Sequence, residues 1–150
     1  MENLVPDIRL GKWLLQNIQA ILFADLEPAM PLSYLINHEK KRIYTTATGT
    51  VNFIDLREHM RSEFGRTAAV YPELFDCTDA TADFDADDMR MLVKERSQIA
   101  HAQDPAPVAI VAATDNFFDL FKIFNTLTTN IRPIAVFREI SDAEHWLDQF

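Results

Sequence analysis

The feature of this sequence that most constrains its fold is a regular alternation of short apolar runs with amphipathic segments. The run at 108–113 is continuously apolar, which is typical of a parallel strand covered on both faces. Shorter β-type runs lie before it at 71–77 and after it at 134–137, and segments with helical spacing of apolar residues separate all three. Strands that alternate with helices in this way imply right-handed crossovers and a mostly parallel sheet.

Two further β-type runs precede this alternation. The runs at 33–38 and 42–49 flank the charged turn Glu39-Lys40-Lys41, which predicts a β-hairpin. The order of elements from residue 31 is therefore ββαβαβαβα. We expect an α/β domain on a mostly parallel five-stranded sheet, in which the N-terminal hairpin strand is antiparallel and helices flank the sheet.

Polar residues mark where the helices of this domain begin. Asn52 with Asp55 marks the first helix, Asp85 the second, and Thr114 or Asp115 the third. The last helix has the pattern of a capping box at 141–144. The second helix is expected to bury an apolar stripe that includes the aliphatic stem of Arg96.

Residues 1–30 are predicted to be a helical appendage, separate from the domain at 31–150. Apolar residues between 5 and 25 fall roughly on one face of a helix, and Pro28 and Pro31 then break the chain. We expect this helix to pack on the domain or on a partner subunit.

Charge and composition argue against several classes of function. The formal net charge of -9 disfavours binding to nucleic acid or to anionic membrane surfaces. The single cysteine, Cys77, excludes an internal disulfide and a multi-cysteine metal site, and three glycines are too few for a dinucleotide fingerprint or a P-loop. No apolar stretch reaches the roughly 20 residues of a membrane span. We expect a cytoplasmic protein without cofactor or metal.

The order of elements resembles that of the SpoIIAA-like (STAS) domains, and most closely an uncharacterised bacterial branch of them. The matching segments are the hairpin at 33–49, the strand end Glu73-Leu74-Phe75-Asp76, the run Val108-Ala109-Ile110-Val111, and the closing Val136-Phe137-Arg138 with Ala143-Glu144-His145-Trp146-Leu147. The resemblance covers residues 31–150. It implies a domain that works by binding partner proteins, and relatives that bind lipids or small molecules imply a ligand as the alternative.

The same resemblance places Thr78 at a phosphoacceptor position. Domains of the anti-sigma-factor-antagonist type are switched by phosphorylation within an Asp-Ser-Ser-Gly segment after the third strand, and Asp76-Cys77-Thr78-Asp79 occupies that position here. Cys77 replaces the first serine and Asp79 replaces the glycine. A phosphate would add about 1.5 to 2 negative charges to a segment that is already rich in aspartate, which disfavours the modification.

The acidic segment at 76–88 is the most distinctive local feature, and its position after a strand makes it a candidate ligand loop. Ligands of open parallel sheets collect outside the carboxyl ends of the strands, so Asp76, Thr78 and Asp79 could line such a site or, less favourably, the site of an enzyme of unknown class. The structural alternative is that Asp85, Asp87 and Asp88 stabilise the start of their own helix. The four histidines are expected on the surface, because none has a partner at metal-ligand spacing.

The third helix carries more apolar residues than one buried face needs. Phe117, Phe118 and Phe121 lie close together in it, and Ile123 adds to the Phe118 side. This surplus predicts either an apolar interface or a ligand groove, and burial under the N-terminal helix with Trp13 is the alternative.

Three hypotheses on function follow from these patterns. The first is a non-enzymatic regulatory module that acts by protein–protein contact as a homodimer or with a regulatory partner. The second is a module that binds a small hydrophobic or lipid-like ligand between the third helix and the sheet. The third is an enzyme at the acidic segment, for which no catalytic motif gives support.

Overall fold

The computed structural model of the chain describes residues 30–64, 71–99, 106–128 and 132–150. The predicted N-terminal helix and its Trp13 lie outside the described residues, so that helix and the division of the chain at residue 30 stay predictions.

Among the described residues, five strands form one sheet in the order β1-β2-β3-β4-β5. Their bounds are β1 Leu32–Asn37, β2 Arg42–Asn52, β3 Glu73–Asp83, β4 Val108–Val111 and β5 Ile134–Phe137. β1 is antiparallel to β2 across a tight hairpin in which Lys41 has a φ of +50°, and the other neighbours are parallel. The predicted fold class is confirmed.

Of the four helices in the described residues, three lie on one face of this sheet and the fourth lies on the other. They are α1 Phe53–Phe64, α2 Ala86–Ile99, α3 Asp115–Thr128 and α4 Ile140–Leu147. The first three are crossovers between parallel strands that follow one another in the sheet, and right-handed crossovers in that order place them on one face. They bury the larger core there, whereas α4 contributes Ala143 and Leu147 to a smaller core on the other face.

β3 is longer than its sequence pattern predicts. The polar loop expected after Cys77 is wrong, because β3 continues to Asp83 and pairs with the extended second half of β2. Its alternation explains this: Ala80 is buried on the core side, whereas Thr81 and Asp83 are exposed. A register shift leaves Cys77 and Thr78 opposite Ala47 alone, which is a β-bulge in β3.

Reciprocal hydrogen bonds begin the first two helices. The amide of Asp55 donates to the side chain of Asn52 and the amide of Asn52 donates to that of Asp55, each at 2.9 Å. Asp85 and Asp88 form the same arrangement at the start of α2, at 3.0 and 2.9 Å.

The third helix is capped as its sequence predicts, and the fourth is not. The Phe117 amide donates to the Thr114 hydroxyl at 3.3 Å. The capping box expected at 141–144 is wrong, because α4 begins before Ser141 and its N-cap is Glu139, whose side chain makes no capping hydrogen bond.

Prolines align the amino ends of the parallel strands. The first amides of the β2–β3, β3–β4 and β4–β5 ladders, those of Ile43, Glu73 and Val108, each donate at 2.9 Å to the carbonyl of the proline that precedes the next strand: Pro72, Pro107 and Pro133. Ile43, Glu73, Val108 and Ile134 are therefore register partners in one row across the sheet. Among the helices of the described residues, none combines the length and apolar character that crossing a membrane requires.

Candidate functional site

One carboxylate interrupts the apolar row at the amino ends of the strands. Glu73 is the first residue of β3 and is only 2% exposed, on the face that α1, α2 and α3 cover. Its Oε1 accepts a hydrogen bond of 2.6 Å from the Thr45 hydroxyl of β2 and lies 3.0 Å from Nε2 of His59. A carboxylate buried among apolar side chains is costly unless it is paired, and these contacts supply the pairing.

His59 reaches this carboxylate from α1. Its ring stacks on Phe75 with 5.3 Å between centroids and an interplanar angle of 7°, and it meets the edge of Tyr34 at 6.3 Å. Its side chain is 9% exposed, so the prediction that His59 lies on the surface is wrong. The reason is its spacing: His59 follows the buried Leu56 by three residues and therefore faces the sheet.

Two arginines complete the cluster. Arg96 of α2 and Arg132, which precedes β5, are each 3% exposed. The Arg132 Nε donates a hydrogen bond to the carbonyl of Ala106, and the Arg96 guanidinium lies 6.0 Å from the centroid of the Phe124 ring. The prediction that Arg96 lies on the buried stripe of its helix is confirmed, and its burial includes the guanidinium.

The electrostatics of the cluster favour a charged Glu73. Burial by itself raises the pKa of Glu73, but the hydrogen bond and the charge of His59, the charge of Arg132 and the Thr45 hydroxyl together outweigh it and leave the pKa below its ordinary value. Burial is the main cause that lowers the pKa of Arg96 to about 10, and the neighbouring charge of Arg132 adds to it. The negative charge of Glu73 acts in the opposite direction and raises the pKa of Arg96. Arg96 therefore stays charged at neutral pH. Burial also lowers the pKa of Arg132, with the charge of Glu73 opposing.

A cavity of about 50 Å³ lies beside these charged groups, between α1–α3 and the sheet. Its polar lining consists of His59, Glu73, Arg96 and Arg132. Its apolar lining is larger and comes from all three helices and from β3 and β4: Leu56, Met60, Phe75, Met89, Leu92, Val108, Ile110, Phe121 and Phe124. An apolar cavity with a few convergent polar groups is the usual form of a small-molecule site.

The residues that the sequence selected at the acidic segment lie elsewhere, on β3 at and beyond the carboxyl end of its pairing with β4. Asp76 accepts hydrogen bonds from the amide of Thr78, at 2.9 Å, and from its hydroxyl. Thr78 and Asp79 are exposed. The phosphoacceptor role of Thr78 and the weaker enzyme hypothesis stay predictions. Within the residues that the structure describes, no three His, Cys, Asp or Glu side chains converge as a metal ion requires.

Cys77 differs from its neighbours on β3. It is 1% exposed and belongs to the larger core. Burial, and next the charges of Asp76 and Glu73, raises the pKa of the Cys77 thiol well above its ordinary value. A thiol in this environment is unsuited to act as a nucleophile.

The structure separates the aromatic residues of α3 into two groups. Phe117 and Phe121 are 0% and 4% exposed and stack on each other in the core, with 5.1 Å between ring centroids. Phe118 and Ile123 are half-buried, and the Arg138 guanidinium lies 4.1 Å from the centroid of the Phe118 ring. Of this candidate interface, Phe118 and Ile123 therefore keep solvent-facing surface.

Sequence patterns contained signals for the cluster. A period of two along β3 places Glu73 on the same face as Phe75 and Cys77, and helical spacing places His59 beside Leu56 and Met60. Neither pattern indicates that α1, α2 and the segment before β5 bring their charged groups to the same cavity, since that depends on tertiary packing.

No family model matches this chain, and no curated protein matches it. Among solved structures, the chain is similar to an uncharacterized protein of the DUF3478 family from Shewanella loihica PV-4, which is described as having a SpoIIAA-like fold. The sequences are 18% identical, the match covers 77% of this chain and 91% of that chain, and the TM-score is 0.47. The fold named for this neighbour is the one that the predicted resemblance names.

Proposed function

We propose that this chain is a non-enzymatic regulatory module that acts by protein–protein contact, and that its first contact is a homodimer formed through β1. The observation that carries the proposal is the character of this strand. β1 lies at the edge of the sheet, and among the described residues it pairs with β2 alone. Within the described part of the chain, no strand pairs with the outer backbone groups of β1, and such an edge can accept a further strand.

The sequence and register of β1 lack three features that protect edge strands: charged residues, proline and a β-bulge. Its sequence, Leu-Ser-Tyr-Leu-Ile-Asn, holds no charged residue and no proline, and its pairing with β2 runs without a register shift. Leu35 is 66% exposed on the face opposite α1–α3. An uncharged edge strand with an exposed leucine favours addition of a further strand.

A second copy of this chain fits the edge better than an unrelated partner. Two copies with a net charge of -9 repel each other over most of their surface, but β1 brings no like charges together when it meets itself. Antiparallel pairing of β1 with its copy about a twofold axis is self-complementary, as closed dimers require. It also keeps Leu35 of both copies on one face of the joined sheet.

Native mass spectrometry tests this contact with two matched variants. We expect the wild-type chain to form a dimer, and Leu35→Lys to weaken dimerisation at least about tenfold, equivalent to about 1.4 kcal/mol. Met91→Lys is the control, because Met91 is also exposed, at 51%, but lies on α2. A wild-type chain that stays monomeric at high concentration contradicts the proposal, as does equal weakening by both variants.

The cavity favours a second candidate function, the binding of a small ligand between α3 and the sheet. Phe121 and Phe124 of α3 and Val108 and Ile110 of β4 line it. Its charged lining disfavours a purely hydrophobic ligand. An interface through Phe118 and Ile123 also stays a prediction, but Leu35 is preferred because it is the more exposed and the Arg138 guanidinium covers part of Phe118.

A further inference from the structure

We propose that the cavity beside Glu73 is a binding site for the carboxylate of a short aliphatic acid, whose carboxylate contacts Arg96 and Arg132 and whose chain lies among the apolar side chains. This inference rests on the second candidate function, and it is independent of the β1 contact.

The polar lining of the cavity is rich in hydrogen-bond donors. Two of its four polar side chains are guanidinium groups, and Glu73 is the one carboxylate among the lining residues. Each guanidinium has five N–H donors in a planar fork, which is more than a single acceptor group can occupy. Carboxylates match this fork geometry, which identifies the charge and shape of the ligand.

Glu73 supplies a negative charge that acts on both arginines, and one of its oxygens is already engaged by other side chains. Its Oε1 is held by Thr45 and His59, on the β2 and α1 side of the row. Arg96 reaches the cavity from α2, and Arg132 lies at the start of β5 on the opposite side. The ligand carboxylate is therefore assigned to the Arg96 and Arg132 side of the cavity.

Burial makes a bound anion favourable. Arg96 and Arg132 are both 3% exposed, and burial lowers the pKa of each. The charge of Arg132 lowers the pKa of Arg96 further, whereas the charge of Glu73 opposes the shift in both arginines. An anion beside two buried cations offsets part of this desolvation and like-charge repulsion. Binding to the folded state then raises stability according to the ligand concentration relative to Kd.

The remaining walls define the rest of the ligand. Met89, Leu92, Val108 and Ile110 are buried and apolar, which suits a hydrocarbon chain better than a second polar group. The volume of about 50 Å³ limits that chain to a few carbon atoms. Butyrate is therefore the probe, and 1-butanol is its uncharged counterpart.

The test is a titration of the wild-type chain followed by methyl NMR, at an ionic strength held constant with chloride. We expect butyrate to shift the methyl signals of Leu92, Val108 and Ile110 in a saturable way, with a Kd of about 1 mM. We expect 1-butanol to bind at least about tenfold more weakly, because it lacks the charge. This measurement needs no variant, so it does not depend on how well an arginine variant folds.

Two variants test the role of Arg96. Arg96→Met removes the charge and keeps the aliphatic stem, and we expect it to weaken butyrate binding at least about tenfold. Arg90→Met is the control on the same helix, because the Arg90 side chain is 59% exposed and pairs with Asp87. Unchanged butyrate binding in Arg96→Met overturns the assignment of the carboxylate.

The probes separate the two levels of the inference. Binding of 1-butanol as tight as that of butyrate overturns the proposed anion site but keeps the cavity as a ligand site. Saturable shifts confined to residues outside the cavity, or no shift with either probe, overturn both.

Discussion

Nε2 of His59 lies 3.0 Å from Oε1 of Glu73, and this contact joins α1 to the sheet through a carboxylate that is almost fully buried. The same oxygen accepts the Thr45 hydroxyl at 2.6 Å, so β2, β3 and α1 meet at one atom. Arg132 contributes its charge from the start of β5. Removing one partner of such a buried pair leaves the other charge without compensation, which is strongly destabilising.

We expect Glu73→Gln to lower the free energy of unfolding by about 3 kcal/mol, because it removes the negative charge that offsets buried cations. Urea denaturation followed by circular dichroism measures the change. Glu58→Gln is the matched control, since the Glu58 side chain is 65% exposed, and we expect it to stay within about 0.5 kcal/mol of wild type. Similar losses in both variants contradict the pairing described for Glu73.

Stability is expected to fall in acid through the same residue. The pKa of Glu73 in the folded chain lies below its ordinary value of 4.5, so its contribution is fully present above that value. It is lost as the pH falls from there through the lower folded pKa, because the unfolded chain then binds the proton first. The stability difference between wild type and Glu73→Gln should therefore shrink in acid. A difference that grows as the pH falls below 4.5 contradicts the direction of this shift.

Asp85 is expected to stabilise the start of α2 through its hydrogen bonds with Asp88. We predict that Asp85→Ala lowers the free energy of unfolding by about 1 kcal/mol, the usual effect of losing an N-cap. Asp83→Ala is the control, because Asp83 is an exposed aspartate close by at the end of β3. Equal effects would mean that general charge repulsion, and not capping, governs this acidic segment.

Cys77 is expected to resist thiol reagents in the folded chain. It is 1% exposed, and its raised pKa leaves little thiolate. We predict that labelling by a maleimide is more than about a hundredfold slower in buffer than in denaturing urea, because the reaction requires unfolding. Rapid labelling of the native chain would contradict the burial of Cys77 in the core.

The fold could be predicted from the sequence because its signals are local. The apolar run at 108–113, the hairpin turn Glu39-Lys40-Lys41 and the polar residues before the helices each act over a few neighbours. The end of β3 could not be placed in this way, since Thr78, Asp79 and Asp83 look like loop residues. They lie in a strand because β2 extends to Asn52 and pairs with β3 from Asp79 to Asp83, beyond the bulge at Thr78.

The site was harder to predict for a related reason. His59, Glu73 and Arg132 are separated along the chain by 14 residues or more, and nothing in their spacing brings them together. The strand register and the packing of α1 place them around one cavity. Prediction from the rule that ligands collect at the carboxyl ends of strands pointed to Asp76 and Thr78, whereas the buried charges lie at the amino ends.

Backbone hydrogen exchange of β1 tests the proposed homodimer most directly, since the proposed contact consists of backbone hydrogen bonds along this strand. We predict that amides within Leu32–Asn37 exchange more slowly in a concentrated sample than in a dilute one, whereas amides of α2 do not change with concentration. Leu35→Lys should abolish the difference. Exchange in β1 that is independent of concentration, in a sample where the chain is dimeric, would contradict the proposal.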